Sequence, residues 1–110
     1  MRLRNVKNKE EIMNNSSYLI RDYEGLKGNW KSLFKNDNPI YIEIGMGKGK
    51  FIIDNAKMFP NINFIGIEKF DSAIVRAIKK IEDYNLPNLK LIRMDAEEIK
   101  KNIGFAAAEA

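Results

Sequence analysis

The chain has 110 residues, 45% hydrophobic and 31% charged, the balance of one small globular domain. It contains no cysteine and no histidine, which excludes a disulfide framework, a Cys/His zinc site and any nucleophile or base of either type, and no metal ligand set is read from it. The net charge of +4 and pI of about 9.3 suit an anionic partner such as RNA, and equally a lysine-rich solvated surface.

No apolar run reaches the roughly 18 residues of a membrane span. The start, Met1-Arg2-Leu3-Arg4-Asn5, has no apolar signal-peptide core, so the expected location is the cytoplasm. Residues 1–38 read as a polar, basic extension with short helical elements. Asn14-Asn15-Ser16-Ser17 is a turn or helix-start signal. Tyr18, Leu19, Ile20, Tyr23, Leu26, Trp30, Leu33 and Phe34 form a loose helical or irregular packing stripe, interrupted by Gly25 and Gly28.

From Pro39 the pattern sharpens. Ile40–Ile44 is β-branched and aromatic, as strands tend to be, and so continuous an apolar run suits a parallel strand covered on both faces. Glu43 breaks that run, and an ionised carboxylate there is costly unless paired. Gly45, Gly47 and Gly49 follow at alternate positions and remove every Cβ from the side where a ligand approaches. A helix is predicted from about Gly49 to Met58, with Phe51, Ile52, Ile53, Ala56 and Phe59 available for burial and Pro60-Asn61 ending it. Its first turn offers free N–H groups and a positive dipole end.

A second strand spans Asn63–Glu68. Asp71 is predicted to cap the next helix, which runs to about Asn85 with Ile74, Ile78 and Ile81 on its apolar side. A third strand is Leu89–Arg93, and a short helix is expected over Ala96–Lys101. The order β-α-β-α-β implies right-handed crossovers and a parallel sheet, one half of a Rossmann-like α/β fold. Residues 39–103 form this unit, and 104–110 are an atypical alanine-rich tail.

Three carboxylates stand at the three strand ends: Glu43, Glu68 and Asp95. In a parallel sheet these ends share the edge where ligands bind. An acid ending the second strand can accept both hydrogen bonds of a ribose diol. Asp95 suits contact with adenine, and also a helix cap before Ala96-Glu97-Glu98. Glu43 suits the site, or bracing of the glycine turn. The glycine spacing discriminates among nucleotide folds. A G-x-G-x-x-G fingerprint counted from Gly45 needs glycine at residue 50, which is lysine, and no G-K-[S/T] P-loop occurs. The pattern is E-x-G-x-G-x-G. Lys48 and Lys50 read as solvated first-turn residues before they read as phosphate ligands.

E-I-G-M-G-K-G, from Glu43 to Gly49, resembles the first motif of class I S-adenosylmethionine-dependent methyltransferases. Together with N-I-N-F-I-G-I-E-K-F and L-I-R-M-D-A-E, it resembles the N-terminal half of the bacterial tRNA (guanine-N7-)-methyltransferases, over roughly Met1 to Ile99. The resemblance implies S-adenosylmethionine as cofactor and tRNA as partner. It places Glu43, with Gly45, Gly47 and Gly49, near the methionine end, and Glu68 on the ribose hydroxyls. It places Asp95 on the adenine amino group, and the Ala96 N–H on a ring nitrogen. Arg2, Arg4, Lys7 and Lys9 are then candidate tRNA phosphate contacts, or a solvated basic tail. The family continues with a fourth strand and a D-P-W-P-K-K-R-H type motif, which does not appear in these 110 residues. The expectation is therefore a truncated chain, with no catalytic residue assigned and with an exposed sheet edge through which it can self-associate. The other readings are a different class I methyltransferase and a non-catalytic nucleotide- or RNA-binding fragment.

Overall fold

The computed structural model describes residues 8–23, 29–95 and 97–98. In chain order it contains α1 (Lys9–Asn15), β1 (Leu19–Ile20), a 3-10 helix (Trp30–Leu33), β2 (Ile40–Ile44), α2 (Lys50–Met58), β3 (Asn63–Glu68), α3 (Asp71–Ile81) and β4 (Leu89–Arg93). The four strands form one sheet in the order β1-β4-β3-β2, parallel throughout. The α/β class and the parallel sheet expected from the strand–helix alternation are both present.

Side-chain alternation along the strands builds two cores. Phe64, Leu89, Leu91 and Leu19 face one way, against Met13 of α1, Ile52, Ile53 and Ala56 of α2, and Ile74, Ala77, Ile78 and Ile81 of α3. Ile65, Ile67 and Ile92 face the other way, against Trp30 and Phe34, with Ile40 and Ile42 packed at the margin. Trp30 is fully buried. Truncating such a side chain typically costs about 3–5 kcal/mol, so among the described residues the 3-10 helix is a main cover of the second face. Asn88 fastens the end of α2 to the start of β4. Its Nδ2 donates to the carbonyls of Ala56, Phe59 and Ile62 at 3.0, 3.1 and 2.9 Å.

The structure corrects several local expectations. Tyr18–Ile20 is not a helical stripe: Leu19 and Ile20 add a fourth strand, paired with Leu91 and Ile92, and the Leu91 N–H donates to the Tyr18 carbonyl at 2.9 Å. Asn14–Ser17 closes a helix and does not start one, with Ser16 at the C-cap of α1. Helix α3 stops at Ile81, and Phe70 stands at its N-cap. Asp71 is already helical, and its Oδ1 accepts from Arg93 Nε at 2.6 Å. The strand covered on both faces is β3, buried at all six residues. Strand β2 has no second neighbour among the described residues, leaving Tyr41 46% and Ile44 57% exposed. Phe51 and Phe59 are likewise exposed. Of the short helix expected over Ala96–Lys101, only Glu97 and Glu98 are described, and both are helical.

Candidate functional site

The carboxyl ends of β2, β3 and β4 meet at one edge of the sheet. The chain leaves β2 through a turn that folds back over β3: the N–H groups of Gly45 and Met46 both donate to the Ile67 carbonyl, at 2.8 and 3.0 Å. Gly45 and Gly47 have φ of +75° and +61°, and a Cβ on either would meet nothing within 4 Å. Left-handed backbone favours glycine at both positions, and the open space above them is room for a ligand. Gly49 differs. A Cβ there would lie 3.1 Å from Ile53 and 3.2 Å from Ala77, so this glycine lets α2 start close against α3.

Gly66 is a residue whose role was not legible beforehand. A Cβ on it would sit 2.5 Å from the Met46 sulfur. The missing side chain in β3 makes the slot into which the turn's methionine packs. A glycine inside a strand is the signal that marked it.

Glu68 is 7% exposed. Its Oε1 accepts from the Gly47 N–H at 2.9 Å. Its Oε2 accepts from the N–H groups of Lys69 and Phe70, both at 3.1 Å. This carboxylate ties the glycine turn to the turn after β3. It offers about four acceptor positions, and three are engaged by the protein's own backbone.

Glu43 lies level with Gly66. The residue is half-buried, yet its Oε1 is closed to solvent and has no hydrogen-bond partner among the described residues. Loss of hydration pushes its carboxyl above the ordinary glutamate range. An acceptor held this way favours a donor, above all a cationic one.

Asp95 follows β4 and closes a capping box. Its Oδ1 accepts from the Glu98 N–H at 3.0 Å, while Glu98 Oε1 accepts from the Asp95 N–H at 3.3 Å. The Tyr23 hydroxyl donates to Glu98 Oε2, a link from the N-terminal segment that nothing in the local pattern announced. Between the ends of β2 and β3 lies a cavity of about 280 Å³, lined by Ile44, Gly45, Ile67, Glu68, Lys69, Phe70 and Met94. Its walls are mainly apolar, with the Glu68 carboxylate among them.

Other candidate residues stand elsewhere. Ala96, Arg2, Arg4 and Lys7 lie outside the described residues. Lys9 opens α1, the helix packed on α3. Lys50 is exposed and pairs with Asp54 at 3.1 Å. No helix among the described residues is long and apolar enough to cross a membrane.

Residues 37–105 match a family described as "Putative methyltransferase". Three relatives carry the name tRNA (guanine-N(7)-)-methyltransferase. The one from Lachnoclostridium phytofermentans is 52% identical over 99 residues, which is 90% of this chain and 46% of the relative. That from Bacillus cytotoxicus is 51% identical, over 82% of this chain and 42% of its own length. That from Geobacillus sp. (strain WCH70) is 50% identical, over 90% and 46% respectively. The chain thus spans about half the length of the curated relatives it matches. A solved structure titled as an antibiotic-related methyltransferase superposes with a TM-score of 0.52 at 25% identity, covering 64% of this chain and 38% of that one.

Proposed function

The chain belongs to that methyltransferase family, and from this premise we propose that it is the S-adenosylmethionine-binding part of an enzyme that methylates guanine N7 in tRNA. The family implies a methyl donor. The observation that carries the finer reading is the open glycine turn of Gly45 and Gly47, set between the unpartnered Glu43 oxygen and the inward Glu68 carboxylate. The names of the three relatives support tRNA as substrate.

When bound, S-adenosylmethionine supplies an electrophilic methyl group on a sulfonium. In this reading Gly45 and Gly47 leave the approach clear of side chains, and Glu43 offers its oxygen to an ammonium donor. Glu68 keeps an acceptor position for a ribose hydroxyl while holding the turn in shape; Asp95 Oδ2, which no described residue engages, is assigned to the adenine amino group and the Ala96 N–H to a ring nitrogen. Ile44, Phe70 and Met94 give the cavity its apolar lining. Guanine N7 carries a lone pair and no proton, so attack needs no general base. Alignment and charge stabilisation are the remaining demands, and a chain without histidine or cysteine can meet them. Arg2, Arg4, Lys7 and Lys9 are assigned to tRNA phosphates, and the cytoplasm is the expected compartment.

Calorimetric titration tests the cofactor assignment. S-adenosylhomocysteine should bind at least about tenfold more tightly than NAD, a difference of about 1.4 kcal/mol. Equal affinities would overturn it.

A further inference from the structure

We propose that Tyr23 is a positioning residue for the adenine amino contact assigned to Asp95, a role that rests on the proposed reading of the site. The path is a chain of hydrogen bonds. The Tyr23 hydroxyl donates to Glu98 Oε2. Glu98 Oε1 accepts from the Asp95 N–H at 3.3 Å, and the Glu98 N–H donates back to Asp95 Oδ1 at 3.0 Å. One tyrosine of the N-terminal segment thus reaches, through one glutamate, both the backbone and the side chain of Asp95.

Sheet register brings the two ends of this chain together. Strand β1 runs parallel to β4, with Leu19 beside Leu91 and Ile20 beside Ile92. Tyr23 stands three residues beyond Ile20, and Asp95 three beyond Ile92. Both therefore leave the sheet at its carboxyl edge, from neighbouring strands. At two residues, β1 is shorter than strands usually are, and what it delivers is Tyr23 beside the loop after β4.

Asp95 is exposed, so its carboxylate holds one direction only if something fixes it. The capping box takes Oδ1, but the box itself depends on Glu98, a long side chain that loses much rotamer freedom when ordered. Tyrosine has only two side-chain torsions. The Tyr23 ring packs against the core of Trp30, Ile92 and Met94, which makes its hydroxyl a fixed point. A hydroxyl–carboxylate bond is of the strong, charge-assisted kind.

The same segment carries a matched control. Tyr18 donates its hydroxyl to the Tyr84 carbonyl at 2.6 Å and accepts from the Leu86 N–H at 3.1 Å. That tie lies at the amino end of β4, away from the edge that carries Asp95.

The test is calorimetric titration with two ligands, S-adenosylhomocysteine and its analogue with hydrogen in place of the adenine amino group. The wild-type chain should bind the first about tenfold more tightly than the second. Tyr23→Phe keeps the ring and removes only the hydroxyl, and it should bring that ratio to about threefold or less. Glu98→Ala should bring it as low, and Tyr23→Phe added to Glu98→Ala should lower it no further, as expected of two residues acting through one link. Tyr18→Phe should lower the urea midpoint and leave the ratio at its wild-type value. A wild-type ratio in Tyr23→Phe or in Glu98→Ala would overturn the proposal and leave the reading of the site standing. So would a ratio lowered as far by Tyr18→Phe, because the effect would then be general loosening. A Tyr23→Phe chain unfolded by circular dichroism would also overturn it, because the hydroxyl would then hold the fold and not the site. A wild-type ratio near one, or no binding of either ligand, would remove Asp95 from the adenine contact and the proposal with it.

Discussion

At the scale of single residues, the two glutamates of the candidate site meet opposite environments. Glu68 is supplied with three backbone donors, whereas Glu43 has an oxygen with none. A hydrogen bond to a charged group is worth about 1.5–3 kcal/mol. Glu68→Ala should therefore weaken S-adenosylhomocysteine binding by about tenfold to a hundredfold, by releasing the Gly47 turn as well as by removing an acceptor. Lys50→Ala, at an exposed ion pair, should change affinity by no more than about twofold. Titration of both variants checks this, and similar losses would remove Glu68 from the site. Glu43 has its folded-state pKa raised by burial. A raised value means that stability from the protonated form is complete below the unfolded pKa and is lost as pH rises through the folded one. Glu43→Gln should then raise the urea midpoint at neutral pH and change it little well below pH 4.5, the group's ordinary value. A midpoint lowered at neutral pH would mean that ionised Glu43 is stabilising.

At the scale of elements, the sheet edge is shaped by how helices are tied to strands. Asn88 collects three carbonyls at the end of α2 just before β4 begins. Replacing it with alanine leaves buried acceptors without a donor, at about 1–3 kcal/mol. Denaturant unfolding of Asn88→Ala should show that loss, while Asn85→Ala, on the exposed loop nearby, should stay within about 0.5 kcal/mol. If the two match, the α2–β4 tie is not what holds this corner. The Asp71–Arg93 pair makes a second tie, from α3 to β4. It is largely exposed and worth at most about 1 kcal/mol, so it fixes direction more than stability.

At the scale of the whole molecule, the cleft has one firm wall and one open side. Strands β3 and β4 and the glycine turn form the wall, while the side along β2 is exposed at Tyr41 and Ile44. In the proposed reaction cofactor and guanine must be held in line, and misplacement by about 1 Å can cost a hundredfold in rate. This chain by itself should therefore transfer no methyl group to unmodified tRNA above background, measured with a radiolabelled donor. Turnover clearly above that background would show the site to be complete without a further wall.

The sequence by itself determined what short-range pattern and spacing can carry. Strands β2, β3 and β4 and helices α2 and α3 were legible because their apolar residues repeat at strand or helix period. The glycine spacing E-x-G-x-G-x-G departs from the dinucleotide fingerprint, and the calorimetric comparison with NAD tests that reading. Tertiary structure alone decided the rest, because those features depend on partners far away in the chain. Leu19 and Ile20 carry no strand pattern in two residues, and are a strand because β4 offers them an edge. Asp71 looks like a cap until Arg93, 22 residues on, takes its carboxylate. Glu43 and Glu68 look alike in sequence; folding sets one against three N–H groups and closes the other's Oε1 away from both water and donors.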